Sequence, residues 1–96
     1  MTNEIERLAQ WYSLQCNRDW EHQNGIQLVT IDNPGWSLDV HLTDTSVAGK
    51  LVQPTRIERN EGDWIFYEAK AGLFRGRCAP ANLSEMLALF LEFAEI

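Results

Sequence analysis

Apolar and polar residues alternate strictly along one stretch in the first half of the chain. The apolar positions are Trp36, Leu38, Val40 and Leu42. The positions between and after them are polar, namely Ser37, Asp39, His41 and Thr43. Because successive side chains of a β-strand point to opposite faces, this period of two predicts a strand with one buried and one exposed face. We expect the apolar side to lie against the core.

A second strand is predicted just before this one, over the aliphatic and β-branched residues 26–31. A strong turn signal, Asn33-Pro34-Gly35-Trp36, separates the two runs. Pro34 presets φ for the second position of a β-turn, and Gly35 tolerates the positive φ that a type II turn requires at the third. The two runs are therefore expected to form an antiparallel hairpin.

Three further runs in the second half of the chain read as strands, and turn residues separate them. They cover residues 55–59, 64–70 and 73–78, with turns predicted at 60–63 and at Ala71-Gly72. The polar residues 43–50 are expected to form a loop. Leu51-Val52 comes just before Pro54, which has no amide to give to a ladder, so this part is expected to be a loop or a sheet edge.

Helical spacing appears at both ends of the chain. Near the start, apolar residues recur with helical period over residues 4–16, and Asn3 is placed to cap that helix with Glu6 three residues later. Near the end, Pro80 stops the last strand, and Asn82 is placed as N-cap of a second helix with Glu85 three residues on. Both helices have an apolar stripe that must be buried.

This order of elements predicts an α+β fold. We expect an antiparallel β-sheet meander of about five strands, with the N- and C-terminal helices packed on one face, because a sheet and each helix must bury their apolar sides together. The 96 residues are enough for one hydrophobic core, and no linker or repeat divides them. A single domain over residues 1–96 is therefore expected.

The charge balance bears on the kind of partner. Fourteen acids against eight lysines and arginines give a net charge of -6. A polyanion requires a basic face, so nucleic acid is not expected as a ligand. A basic protein partner suits an acidic chain better, although acidity also serves solubility. No apolar run is long enough to cross a membrane and no export signal is visible, so we expect a cytoplasmic protein whose two cysteines are free thiols.

A few residues could carry chemistry. Cys16 and His22 lie close in sequence and are the minimal pair for a thiol-dependent hydrolase, but no motif around them supports activation of the thiol. Together with His41 and Cys78 they could also form a Cys2His2 metal site, yet no closely spaced ligand pair preorganises one. We therefore expect no catalytic residue, metal or other cofactor. A plain structural subunit remains a further alternative.

The chain resembles the immunity protein 53 family of bacterial polymorphic toxin systems. The resemblance covers nearly the whole sequence and is carried by Trp11-Tyr12, Gln15-Cys16, Trp20-Glu21-His22, Gly25, Asp32-Asn33-Pro34-Gly35-Trp36, Ile57-Glu58-Arg59, Asp63-Trp64, Cys78, Pro80 and Asn82-Leu83. One departure is Arg18, where members of the family often have a glycine. The resemblance implies a cytoplasmic antitoxin without enzymatic activity, which binds and neutralises a cognate toxin domain. The acidity of the chain in turn favours a basic toxin, for example a basic nuclease.

Contacts with such a partner are expected to combine aromatic anchors with acidic and polar side chains. The partner-binding candidates are Trp20, Glu21, His22, Asp32, Asp39, His41, Asp63 and Trp64. The polar side of the alternating strand, which includes Asp39 and His41, is expected to form an exposed acidic face. Neither nucleic acid nor membrane is expected as a partner.

Overall fold

The computed structural model describes residues 3–94, which form one layer of helices on one antiparallel sheet. The elements in chain order are α1 (Glu4–Gln15), α2 (Trp20–Gln23), β1 (Ile26–Ile31), β2 (Gly35–His41), β3 (Val52–Asn60), β4 (Asp63–Lys70), β5 (Leu73–Cys78), a 3-10 turn (Pro80–Asn82) and α3 (Leu83–Ala94). The predicted α+β class, with a five-stranded antiparallel sheet between an N-terminal and a C-terminal helix, is confirmed. No helix within residues 3–94 is long and apolar enough to span a membrane.

The strands lie in the order β1-β2-β5-β4-β3, and each pairs antiparallel with its neighbour. The connection over residues 42–51 carries the chain from β2 to the far edge, and β3, β4 and β5 then return as a meander that ends beside β2. The order therefore differs from that of five sequential strands. As a result, β5 is the central strand, with β2 on one side and β4 on the other.

One face of the sheet, called here the inner face, packs against α1 and α3. Phe74 of β5 contacts Phe90 of α3 edge to face, with ring centroids 5.0 Å apart, and Phe90 contacts Trp11 of α1 in the same way at 5.1 Å. Such aromatic pairs add to the free energy gained from burial. Gly76 lets α3 approach closely, because a Cβ at this position would lie 2.8 Å from the sulfur of Met86.

The β1–β2 hairpin is confirmed, but the predicted type II turn is wrong. The Asn33–Pro34 peptide is cis, and Gly35 lies within β2, where it pairs with Ile31 and does not have a positive φ. Gly35 is required for another reason. A Cβ at this position would collide with the backbone carbonyl oxygen of Cys78 on β5. The glycine therefore permits close approach between β2 and β5.

The two predicted helix caps have different outcomes. Asn3 caps α1 as expected, since its Oδ1 accepts a hydrogen bond of 2.7 Å from the amide of Glu6. Asn82 does not cap α3 with its side chain. Its Nδ2 instead donates to Asp63 at 2.9 Å and to Glu85 at 3.3 Å, while its Oδ1 is buried without a hydrogen-bond partner. The predicted N-cap role of Asn82 is therefore wrong, and the side chain links β4 to α3.

Two elements differ in extent from the sequence-based expectation. The short helix α2 lies where no helix was predicted, because four residues are too few to establish a period. Strand β3 begins at Val52, and so includes Pro54, with register shifts on either side of residues 55–58. Proline is tolerated there because β3 is an edge strand, which is one of the two alternatives expected for this stretch.

Candidate functional site

The face of the sheet opposite the helices, called here the outer face, carries most of the accessible functional side chains. The strand registers place Ser37, Asp39 and His41 of β2 beside Arg77, Arg75 and Leu73 of β5, and these beside Phe66, Glu68 and Lys70 of β4. Neither α1 nor α3 packs on this face. It is therefore the side of the sheet that a partner can reach.

A groove of about 730 Å³ lies on the outer face, at the end of the sheet where the β1–β2 and β3–β4 turns are found. Its lining residues come from the two turns and from β1, β3, β4 and β5: Ile31, Asp32, Asn33, Arg56, Glu58, Glu61, Trp64, Phe66 and Arg77. The groove therefore depends on the tertiary arrangement of the strands and on no single segment.

The floor of the groove is aromatic. Trp64 and Phe66 lie two residues apart on β4, so both project from the outer face, and both are half-buried. The register places Phe66 beside Arg77 of β5 on one side and beside Arg56 of β3 on the other. Large aromatic surfaces that remain partly accessible can supply the desolvated contact at the centre of a protein interface.

The rim of the groove is charged. Its acids are Asp32 in the β1–β2 turn, Glu58 on β3 and Glu61 in the β3–β4 turn, while Arg56 and Arg77 supply two positive charges. Arg56 forms an exposed ion pair of 3.8 Å with Glu58. The lining thus has three acids and two arginines. The acids lie at both ends of the groove, with Asp32 at one end and Glu58 and Glu61 at the other.

The rest of the outer face is a ladder of alternating charges. Asp39 accepts a hydrogen bond of 3.1 Å from Arg77 and lies 4.0 Å from Arg75. Glu68 lies 3.9 Å from Arg75 and 4.0 Å from Lys70. The expected exposed acidic face is therefore corrected in two respects. Arginines from β5 neutralise Asp39, and the long neighbouring side chains leave Ser37 buried.

Two of the candidate binding residues, Asp32 and Trp64, meet at the groove. Asp39 lies next to it, joined through Arg77. His41 is exposed near the opposite end of the outer face, and its Nδ1 lies 3.1 Å from both the amide nitrogen and the carbonyl oxygen of Gly25. The structure therefore brings three of these four candidates together and places His41 apart from them.

The candidates in α2 lie elsewhere. Trp20 is only 4% exposed and belongs to the core, where its Nε1 donates a hydrogen bond of 2.7 Å to the carbonyl oxygen of Thr43. Glu21 accepts hydrogen bonds from the amides of Asn17 and Arg18, at 3.0 and 2.8 Å. Its own backbone amide and these two hold the pKa of Glu21 below its ordinary value. Of the three, His22 alone is exposed.

Asp63 lies in a separate network that joins β3, β4 and α3. Arg59 donates to Asp63 at 2.7 Å and forms an ion pair with Glu85 at 2.6 Å. Hydrogen bonds from Arg59, followed by those from Asn82, lower the pKa of both Asp63 and Glu85. The hydrogen bonds that Arg59 donates to Asp63 and Glu85 in turn raise the pKa of Arg59. Asp63 therefore stabilises the contact between β3, β4 and α3.

The residues considered for catalysis or metal binding do not converge on one site. The thiol of Cys16 donates to the carbonyl oxygen of Tyr12 at 3.3 Å, one helical turn earlier, while Cys78 is fully buried in β5. Within residues 3–94, no group of three or more histidine, cysteine, aspartate or glutamate side chains is arranged to hold a metal ion. The outer-face groove, which brings Asp32 and Trp64 together, is the candidate site.

The family model of immunity protein 53 matches residues 5–95 of the 96-residue chain. The chain belongs to the immunity protein 53 family. The resemblance inferred from its motifs is thereby confirmed. No curated protein and no solved structure was found to match.

Several groove residues were not among the sequence-based candidates, notably Phe66, Arg77 and Arg56. Phe66 could have been found, because it follows Trp64 at the spacing of two that places both on one face of a strand. Arg77 and Arg56 depend on which strands are neighbours. Arg77 and Arg56 reach the groove of this immunity protein 53 family member only because β5 pairs with β2 and β4, and β3 pairs with β4.

Proposed function

We propose that this protein is an antitoxin that binds and neutralises a cognate toxin domain through the outer-face groove. The observation that carries the proposal is the pair Trp64 and Phe66, two half-buried aromatic side chains on the face that no helix covers, in a chain of an immunity protein family. Tight protein complexes depend on a few such anchors within an interface of about 800 Å² per partner.

The groove also suggests the chemistry of the toxin surface. An apolar side chain of the toxin would rest on Trp64 and Phe66, while basic side chains would meet Asp32 at one end and Glu58 and Glu61 at the other. The net charge of -6 supports the same polarity, because an acidic antitoxin attracts a basic toxin before contact. A basic nuclease would fit this description.

Neutralisation by binding requires no reaction, and we assign no catalytic residue or cofactor. The setting we propose is a bacterial polymorphic toxin system, with the antitoxin acting in the cytoplasm. Two free cysteines support a reducing compartment. The partner in this proposal is the toxin protein itself, and neither nucleic acid nor membrane.

The decisive experiment measures binding to the toxin domain encoded by the adjacent gene. We expect Trp64→Ala to weaken binding by about thirtyfold or more, because truncating a central anchor costs about 2 kcal/mol. Charge reversal at the rim, Glu61→Lys, is expected to weaken it by about tenfold and to reduce the association rate chiefly.

The matched control for the reversal is Glu92→Lys, which changes the same charge at an exposed position on α3. It is expected to retain full affinity. When each variant is co-expressed with the toxin, the protection of the cells should follow the same ranking as the affinities. If Trp64→Ala and Glu61→Lys bind as tightly as the wild type while folded, the groove is not the binding site. If the adjacent product neither binds nor is toxic, the antitoxin assignment fails.

A further inference from the structure

The two edges of the sheet differ in how they are protected. At the β3 edge, Pro54 removes a backbone donor, register shifts interrupt the ladder, and Arg56, Glu58 and Arg59 add charge. These are features by which natural sheets discourage a further strand from pairing. On the opposite side of the sheet, the edge strand β1 contains no proline and no charge, and it pairs with β2 without a register shift. This strand is therefore open to pairing with another strand.

The backbone groups that β1 presents outward can be assigned from the ladder. The amide of His41 donates to the carbonyl oxygen of Gly25 at 3.0 Å, which makes residues 25 and 41 a hydrogen-bonded pair. In an antiparallel ladder such pairs alternate, so Gln27, Val29 and Ile31 also direct their backbone groups toward β2. The N–H and C=O groups of Ile26, Leu28 and Thr30 consequently point away from the sheet.

An apolar groove of about 570 Å³ runs beside this edge, between α1 and β1. Its apolar lining includes Ile5, Leu8 and Tyr12 of α1 together with Ile26 and Leu28 of β1, and no charged residue lines it. Ile5 is 58% exposed, so a large aliphatic side chain at this groove is accessible to a partner. Strand edge and groove form one continuous uncharged surface.

We propose that this surface, called here the β1 edge, pairs with the β1 edge of a second copy of the same chain. Two copies related by a twofold axis would place Leu28 opposite Leu28 and Ile26 opposite Thr30, and each such pair would exchange two backbone hydrogen bonds, about six in all. The two five-stranded sheets would join into one continuous sheet. Ile5 and Tyr12 of each copy would be covered by the same contact.

The absence of charge makes this place better suited to a second copy than to a basic partner. The chain carries a net charge of -6, so two copies repel each other wherever acids face acids. The β1 edge has no charge to contribute to that repulsion, whereas it offers nothing to attract a basic protein. A basic toxin is drawn to the outer-face groove and leaves the β1 edge free, so self-pairing and toxin binding use separate surfaces.

Sedimentation of the full chain across micromolar concentrations tests the proposal directly. We expect a reversible dimer that does not weaken as salt rises, because screening reduces the remaining repulsion between the two acidic chains. Toxin association is expected to have the opposite salt dependence. A chain that stays monomeric throughout this range would overturn the proposal.

Two pairs of variants locate the contact. Thr30→Pro removes an outward N–H that the β1–β2 ladder does not use, while Thr30→Val keeps it. Ile5→Glu puts a charge on the β1 edge, while Leu51→Glu makes the same change at a residue that is 72% exposed elsewhere. We expect the dissociation constant of the dimer to rise at least about tenfold in the first variant of each pair and to stay unchanged in the second. Equal behaviour within both pairs would refute the assignment.

Amide hydrogen exchange on the wild type avoids any effect of substitution on folding. In the dimer, the amides of Ile26, Leu28 and Thr30 are expected to gain protection as concentration rises, while those of Gln27, Val29 and Ile31 are protected at every concentration. Protection of the first three that appears only when toxin is added would contradict self-pairing and assign the edge to a strand of the toxin.

Discussion

Arg77 on β5 donates a 3.1 Å hydrogen bond to Asp39 on β2, across the centre of the outer face and 38 residues away in sequence. Asp39 is 28% exposed and Arg77 is 25% exposed, so water screens the pair only in part. The bond links β2 to the central strand β5 and orients the arginine that lines the outer-face groove. Asp39 is thus a structural residue as well as a neighbour of the proposed binding surface.

Substitution of Asp39 by lysine is therefore expected to destabilise the fold. The new cation would lie beside Arg75 and Arg77, and the charge-assisted bond would be lost, at a cost of about 1–3 kcal/mol in the free energy of unfolding. Urea denaturation measures this loss. Asp39→Asn should cost less, and Asp32→Lys, at an exposed turn, should leave stability nearly unchanged. Equal stability of Asp39→Lys and wild type would show that the pair contributes nothing.

A second prediction concerns acid pH. The pKa values of Asp63 and Glu85 are lowered in the folded chain by hydrogen bonds from Arg59 and Asn82. The unfolded chain consequently binds more protons at acid pH. The network therefore stabilises the fold fully at pH values above the ordinary carboxyl pKa, which is about 4. This contribution is lost as pH falls through the folded pKa values. Unfolding measured from neutral to acid pH should show a smaller acid-dependent loss in Arg59→Gln, while Glu92→Gln behaves as wild type.

Asn82 should act through its amide donor and not as a helix cap. Asn82→Ala is expected to lower the free energy of unfolding by about 1 kcal/mol, because the hydrogen bonds to Asp63 and Glu85 disappear. Asn82→Asp discriminates between the two roles. Aspartate is a good N-cap but places a third acid beside Asp63 and Glu85, so it should be at least as damaging as alanine. Recovery of stability in Asn82→Asp would restore the capping interpretation.

Arg18 has a φ of 77°, in the left-handed region that favours glycine. Arg18→Gly is therefore expected to raise the free energy of unfolding by about 1 kcal/mol, whereas Arg18→Ala, which removes the same charge but keeps the Cβ, should not. Thermal unfolding of the two variants side by side separates the backbone effect from the effect of charge.

The two thiols should react very differently with an alkylating reagent. Burial raises the pKa of Cys78 to about 11, so it should remain protonated and protected at neutral pH until the chain unfolds. Stability contributed by the neutral thiol is present below its ordinary pKa and is lost as pH rises toward about 11. Cys16→Ser should abolish labelling of the folded protein. Labelling of Cys16 faster than that of a free cysteine peptide would support the thiol-dependent hydrolase.

Local patterns were enough to predict most of the fold. The period of two located β2, strand-favouring residues bounded by turn signals located β1, β4 and β5, and helical spacing located α1 and α3, because each of these signals lies within a few consecutive residues. Strand order could not be obtained in this way. Nothing near Asp39 in the sequence indicates Arg77, and the β2–β5 pairing is decided by how the whole chain packs.

The candidate site, like the fold, could be predicted from local sequence only in part. Trp64 could be recognised as a candidate anchor, yet composition alone could not separate it from Trp20, which fills the core with its Nε1 bonded to Thr43. Tryptophans are suited to both positions, since the ring is apolar and the N–H needs a partner when buried. The difference lies in which elements cover each ring, and that is a tertiary property.

The alternation of side chains along β4 also has an evolutionary consequence. Trp64 and Phe66 project from one face, while Ile65 between them is buried in the core. Selection can therefore alter the groove, residue by residue, while the residues that hold the helices stay constant. Under the proposed function, a toxin with a changed surface could be matched by substitutions on one side of β4, with little penalty to folding. The binding surface could then diversify while the fold is kept.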